Sequence, residues 1–366
     1  MILGVDIGGT KCAVIAGRVY SGSIDDTTGN ASSNSNTGNT ASDAIGKTAG
    51  AARGNAVNDA PCKINSAFNV EIIDKRVFPT ETRRGPGHAI NRIMEDLSLM
   101  MQKYETGTRK FKAIGISCGG PLDSKKGIIM SPPNLYGWDN IEITDMIEKR
   151  LGIKARLQND ANACALAEWR FGASRGYENV IFLTFGTGMG AGLIINGQLY
   201  EGANGMAGEV GHVRLEKHGP VGYGKAGSFE GFCSGGGIAQ LARVRTLEAL
   251  QAGKSVSFCK GIEELGSLDA KIIADAAKQG DELAIEIYKE CGRYLGMGLS
   301  ILIDILNPEI IVIGSIFSRS RDLLWPWAQE VIKRESLALS REVCKIVSAL
   351  LGDKIGDYAS LAVALG

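Results

Sequence analysis

ILGVDIGGTKCAVIA, residues 2–16, decides how this chain is read. An apolar run, a glycine pair and a second apolar run spell strand, tight turn, strand. Gly8 and Gly9 carry no Cβ at the turn, so their backbone N–H groups can approach an anion, and the Thr10 hydroxyl adds a donor. A second stretch, IFLTFGTGMGAGLII at residues 181–195, follows the same plan with Gly186, Thr187 and Gly188 at its turn. Two matched hairpins about 180 residues apart suggest two related α/β lobes, each giving one loop to a shared site. Neither loop has the G-x-x-x-x-G-K-[ST] spacing of a Walker loop, and neither opens a helix in the dinucleotide-binding manner. The plain alternative for each is a β-hairpin with glycines at positive φ.

Outward from these loops, strands and helices alternate. Residues 68–77, 113–117, 155–158, 180–185, 192–195 and 310–313 read as strands bounded by Gly, Pro or Asn. Residues 87–104, 144–151, 161–171, 238–252 and 282–306 carry apolar residues at helical spacing. One stretch breaks the alternation. Over residues 21–60, Ser, Thr, Gly and Asn fill 23 of 40 positions and no aromatic residue appears. Such a segment cannot bury enough apolar area to offset its ordering entropy, so it reads as a disordered insertion within a domain.

Composition narrows the class of function. The chain has 366 residues, room for two ordinary domains. Lys+Arg and Asp+Glu are 40 each, a net charge of zero, which argues against a nucleic-acid or membrane-surface partner. No apolar run reaches membrane-spanning length and the N-terminus lacks a signal-peptide pattern. Eight cysteines without a C-x-x-C pair read as reduced thiols, and a cytoplasmic location is expected. Glycine, at 49 residues, is about twice its average share, as many close backbone approaches would require.

DIGGTK (residues 6–11), FGTGMGAG (185–192) and NPEIIVIG (307–314) resemble the two phosphate loops and the adenosine segment of the sugar-kinase/actin/Hsp70 superfamily. PPNLYGW (132–138), NDANACALAE (159–168) and GEVGH (208–212) resemble, more narrowly, the ROK family of repressors, open reading frames and kinases. The resemblance implies an α/β, two-lobed ribonuclease H-like (actin-like ATPase) fold with its active site in the interlobe cleft. The expected lobes are residues 1–118 with about 353–366, and residues 119–352. It also implies an ATP-dependent kinase that uses Mg²⁺ and phosphorylates a hexose hydroxyl, glucose foremost. Kinases of N-acetylmannosamine, N-acetylglucosamine, fructose or allose are alternatives, as is a non-catalytic sugar-sensing protein. A DNA-binding repressor of the family carries a helix-turn-helix segment ahead of the first loop, and here that loop begins at Asp6. A homodimer is compatible with the resemblance.

Phosphoryl transfer needs a carboxylate to take the hydroxyl proton. Asp160, at a strand end before an Ala-rich helix, suits that role, and the resemblance makes it the catalytic base. By residue type alone it could equally be a helix N-cap. Ala163, Ala165 and Ala167 would pack the helix and hold the carboxylate rigidly. Asn134, Asn159, Asp160, Glu209, His212 and Glu230, with the backbone at Gly120, are the implied sugar contacts, since buried hydroxyls need fixed partners. Asn134 and Gly120 could also be turn residues. Gly8, Gly9, Thr10, Lys11, Gly186, Thr187, Gly188 and Gly314 would hold ATP, and Asp6 would hold Mg²⁺ through a water.

Many members follow the G-H pair with C-x-C-G-x-x-G-C-x-E, whose cysteines and histidine bind zinc. This chain reads VGYGKAGSFE (221–230), with Val221, Tyr223 and Ser228 at the cysteine positions. A zinc-free variant is expected, held instead by burial of Tyr223 and Phe229. After Gly314, Ser315 and Ile316 stand where the family often continues with glycines.

Overall fold

The computed structural model describes residues 1–21 and 68–366; apart from Ser21, the insertion expected over residues 21–60 lies outside the described residues. In chain order the strands are β1 (Ile2–Ile7), β2 (Lys11–Ser21), β3 (Phe68–Pro79), β4 (Ile114–Cys118), β5 (Leu122–Asp123), β6 (Ile128–Ile129), β7 (Ala155–Asn159), β8 (Val180–Phe185), β9 (Met189–Ile195), β10 (Gln198–Leu199), β11 (Val221–Gly222), β12 (Lys225–Ala226), β13 (Ile310–Ile313) and β14 (Lys345–Ser348). The helices are α1 (Pro86–Tyr104), α2 (Ile143–Leu151), α3 (Asp160–Phe171), α4 (Phe229–Phe232), α5 (Gly235–Gln251), α6 (Ala270–Lys278), α7 (Glu282–Leu306), α8 (Ile316–Glu335), α9 (Ala338–Val343) and α10 (Ile355–Ala364).

Ten of the strands form two five-stranded sheets, ordered β3-β2-β1-β4-β7 and β10-β9-β8-β13-β14. In the first, β1 pairs antiparallel with β2 on one side and parallel with β4 on the other. In the second, β8 pairs antiparallel with β9 and parallel with β13. Each sheet therefore grows from one glycine hairpin, and the repeat read in two short sequence segments extends to the whole topology. The central strands β1, β4, β8 and β13 are almost wholly buried, as continuous apolar runs in a sheet covered on both faces should be.

Strand pairing carries the first sheet past residue 118. β7 pairs parallel with β4, from Ile114 with Ala155 to Cys118 with Asn159. A division after residue 118 would cut this sheet, which ends at Asn159. The sequence between β4 and β7 leaves and returns to the same sheet through α2, the crossover that a parallel pair requires.

Helices α3 and α10 lie between the sheets and pack on one another. Their close fit depends on missing side chains. A Cβ on Gly115 of β4 would lie 2.0 Å from the Ser360 carbonyl oxygen of α10. A Cβ on Gly192 of β9 would lie 2.5 Å from the Ala161 carbonyl oxygen of α3. Ala163, Ala165 and Ala167 of α3 are fully buried, so the helix is fixed by small residues against the second sheet. The second lobe's core joins that sheet to α4–α8, with Phe229, Phe232 and Phe317 buried in it. α6, α8 and β14 were not foreseen from sequence periodicity. No helix among the described residues is long and apolar enough to cross a membrane.

Candidate active site

The β7–α3 junction sets the central carboxylate. Asn159 is the N-cap of α3: its Oδ1 accepts a hydrogen bond from the Ala161 N–H at 2.9 Å. The cap role that residue type allowed for Asp160 thus falls to its neighbour. Asp160 is the first helical residue, with Oδ1 also accepting from the Ala161 N–H, at 2.8 Å. Buried Gln158 holds the junction from behind, taking the Asn159 N–H at 2.8 Å and the Asn162 amide at 3.1 Å on its Oε1, while its Nε2 donates to Glu201. Asp160 keeps an exposed face at the start of α3. Desolvation there raises its pKa, and the Ala161 N–H partly opposes the rise. Asn159 approaches Gly120, where an added Cβ would lie 3.2 Å from Nδ2; the amide nitrogen is thus turned toward that backbone.

The first glycine loop closes through the Gly8 N–H bond to the Lys11 carbonyl, 3.1 Å. Thr80, fully buried after β3, pins it: its hydroxyl donates to the Gly8 carbonyl at 2.5 Å and its N–H to the Thr10 carbonyl at 3.0 Å. Sequence reasoning missed Thr80, because only the β2–β3 pairing brings it there. Gly9 lies against the loop after β6, where an added Cβ would be 2.7 Å from the Asn134 carbonyl oxygen. Asn134 is therefore beside the first loop, on a turn held by the Ser131 hydroxyl donating to Asp139. Thr10 and Lys11 are exposed.

Asp6, at the end of β1, has its pKa pushed up to about 7, first by burial and then by the charges of Asp160 and Asp357. Lys75 pairs with Asp357 at 2.7 Å and offsets part of this. The charge of Asp6 is thus opposed by burial and by its acidic neighbours, an opposition that a bound hard cation would relieve, and Asp6 is the residue that would face Mg²⁺.

The second loop, between β8 and β9, closes through Gly186 N–H to the Gly188 carbonyl at 3.1 Å. The Gly186 carbonyl accepts from the Gly235 N–H at 2.8 Å, at the start of α5. Ser234 caps that helix through the Gly237 N–H, and Gly235 and Gly236 leave its N-terminus bare. The S-G-G-G string opening a helix is a local signal that the sequence reading passed over. A cleft of about 640 Å³ opens here, lined by Gly186, Thr187, Gly235, Gly236, Ser315 and Arg319 among others. It lies beyond the carboxyl ends of parallel β8 and β13, where open α/β sheets bind ligands. Gly314 is buried against Phe182 and does not line it; Ser315 does. Ser315 has φ 56°, costly for a residue with a side chain, and its Oγ accepts from Arg319 at 3.1 Å.

The remaining expected residues come from the segment after β10. Glu209 and His212 are exposed, the first at the N-cap of the short helical turn Val210–His212 and the second at its end. Burial raises the Glu209 pKa first, then the charges of Asp160 and Glu230, while His212 lowers it. Asp160, Glu209, Glu230 and His212 therefore share one electrostatic neighbourhood. Glu230, in α4, accepts the Met189 N–H at 2.9 Å.

The residues around His212 do not fit zinc. Val221 has no donor, and the Ser228 hydroxyl caps α4 through the Gly231 N–H at 3.1 Å. Cys233 is buried and donates to the Cys291 carbonyl. Hydrogen bonds hold the segment instead. The Gln240 amide clamps the Val221 backbone, accepting its N–H and donating to its carbonyl, both at 2.9 Å. Lys225 donates to the His212 carbonyl at 2.7 Å. Phe229 is buried as expected, but Tyr223 is not: it is 77% exposed, edge-on to His212 at 6.4 Å. Tyr223 sits at φ 42° on a turn tip that projects its ring into solvent, so it supplies no core.

Comparison with known proteins places the chain in a family. It belongs to the ROK family, whose match spans residues 65–365. It is 34% identical to a glucokinase of Thermotoga maritima over 264 residues, 72% of this chain and 80% of that one. The ROK family glucokinase of Streptomyces griseus, solved in complex with glucose and AMPPNP, superposes with a TM-score of 0.68 at 25% identity, over 100% of this chain and 99% of that one. A ROK family transcriptional regulator, described as a homolog of the E. coli MLC protein, superposes with a TM-score of 0.72 at 21% identity, over 99% and 77%. The fold is the two-lobed α/β fold of the actin-like ATPases.

Proposed function

We propose that this protein is an ATP-dependent hexose kinase with glucose as its foremost acceptor. The observation that carries the reading is Asp160: a carboxylate freed from capping by Asn159, raised in pKa, and close enough to Asp6 at the end of β1 for their charges to act on one another. In this reading the acceptor hydroxyl gives its proton to Asp160 as its oxygen attacks the terminal phosphorus of ATP and ADP leaves. Gly8, Gly9, Thr10, Lys11, Gly186, Thr187 and Gly188 orient the phosphates through backbone and side-chain donors, and the 640 Å³ cleft takes the adenosine end. Mg²⁺, when bound near Asp6, supplies neutralisation of phosphate charge. Asn134, Asn159, Glu209, His212 and Glu230 hold sugar hydroxyls, and the Gly120 backbone backs the ring. Divided on strand pairing after Asn159, with α10 returning to the first sheet, the lobes close to exclude water that would otherwise take the phosphoryl group. ATP as donor favours a cytoplasmic setting.

ATP turnover against a panel of glucose, fructose, allose, N-acetylmannosamine and N-acetylglucosamine tests this. Glucose is expected to give the highest kcat/KM. Sugar binding without turnover of any acceptor would overturn the kinase reading in favour of a sugar sensor.

A further inference from the structure

Glu230 was read from the sequence as a sugar contact, yet its carboxylate also reaches the other half of the site. Its Oε2 accepts the Met189 N–H at 2.9 Å, at the first residue of β9, directly after the second glycine loop. Gly188 approaches so closely that an added Cβ would stand 2.7 Å from the same Oε2. Two further glycines wall the side chain from behind. An added Cβ on Gly222 would lie 2.8 Å from the Glu230 Cβ, and one on Gly211 would lie 3.2 Å from it. The base of the side chain is thus hemmed in by Gly211 and Gly222, while one carboxylate oxygen is spent on the loop beside Gly188.

We infer that Glu230 is a positioning residue for the second glycine loop, latching the turn that faces the nucleotide to the segment that carries Glu209 and His212. The inference deepens the kinase reading and rests on it for the meaning of the two ligands. The bond from the Met189 N–H needs only an acceptor oxygen at that place, and holding it there fixes the direction of the Gly186–Gly188 donors. Its Oε1 remains for a sugar hydroxyl. Any sugar that draws the carboxylate acts on the loop, and by linkage any nucleotide that fixes the loop acts on sugar affinity.

Hydrogen–deuterium exchange at the Met189 amide, followed on the full chain without ligands, tests the contact. Glu230→Asp withdraws the carboxylate by one methylene and is expected to speed exchange at Met189 by about tenfold or more. Glu230→Gln keeps an oxygen acceptor in place and is expected to stay within about threefold of the parent. ADP affinity, by calorimetry, should follow the same order, falling about tenfold in Glu230→Asp and less than about threefold in Glu230→Gln. Gly188→Ala, which pushes on the carboxylate from the loop side, should reproduce the Glu230→Asp exchange and ADP results. Equal exchange at Met189 in all variants, or ADP affinity that falls alike in Glu230→Asp and Glu230→Gln, overturns the latch. A parent protein that phosphorylates no sugar sinks the kinase reading, while the Met189 exchange still decides the latch.

Discussion

Replacing Asp160 with Asn separates catalysis from every other task at the β7–α3 junction. Asn159 caps the helix, and the bond from the Ala161 N–H to Asp160 Oδ1, at 2.8 Å, can be kept by an amide oxygen. The substitution is nearly isosteric, so the helix and the Gln158 network should be undisturbed. It also removes a carboxylate whose ionisation the fold disfavours. The melting temperature should therefore stay level or rise at neutral pH. Catalysis should not survive. Loss of a general base costs about 10²–10⁴-fold in rate, roughly 3–5 kcal/mol of barrier. The sugar Kd should change by only about threefold, since one hydrogen bond is exchanged for another. ADP release followed by a coupled assay, melting by scanning fluorimetry and sugar binding by calorimetry give the three readouts. The parent's pH dependence adds a fourth. A base must be ionised, so turnover should fall as pH drops through the raised Asp160 pKa, above the usual carboxylate range. Activity of Asp160→Asn within a few-fold of the parent would refute the assignment, and so would an equal loss of sugar affinity.

Asp6→Asn should abolish turnover and stabilise the unliganded protein at pH 8 by roughly 1 kcal/mol or more. Asp6 has its folded pKa raised to about 7, so its share of stability is complete below its unfolded pKa and is lost as pH rises through 7. The melting difference from the parent should therefore vanish near pH 4 and be full at pH 8; a difference independent of pH would contradict the assignment. Gln240→Ala removes both bonds to Val221 and should loosen the 208–230 segment, raising the sugar KM by about fivefold to tenfold with kcat little changed. An unchanged KM would show that the clamp holds nothing the sugar needs. Purified protein should carry less than about 0.1 zinc per chain by elemental analysis, because closed zinc sites need about four thiolate or imidazole donors. Near-stoichiometric zinc lost with activity on chelation would reverse that reading.

Local chemistry was legible in the sequence because its causes lie within a few residues. Glycines at 8–9 and at 186 and 188 mark tight turns, apolar runs such as Ile310–Ile313 make buried strands, and the small alanines of α3 mark a helix packed on more than one side. The same short-range reading found the motifs that carry the ROK resemblance and saw that Val221, Tyr223 and Ser228 offer no thiolate. It could not decide which of two adjacent residues caps α3, since Asn159 and Asp160 are both good caps and only the path of β7 chooses. Nor could it place β7 in the first sheet, bring Thr80 to the Gly8 carbonyl or Glu230 to the Met189 N–H, or turn Tyr223 outward. Those contacts join segments far apart in the chain, and they exist only once both sheets have formed and packed on α3 and α10. The pKa values of Asp6 and Asp160 belong to the same level. Burial and neighbouring charge set them, and both are properties of the assembled cleft.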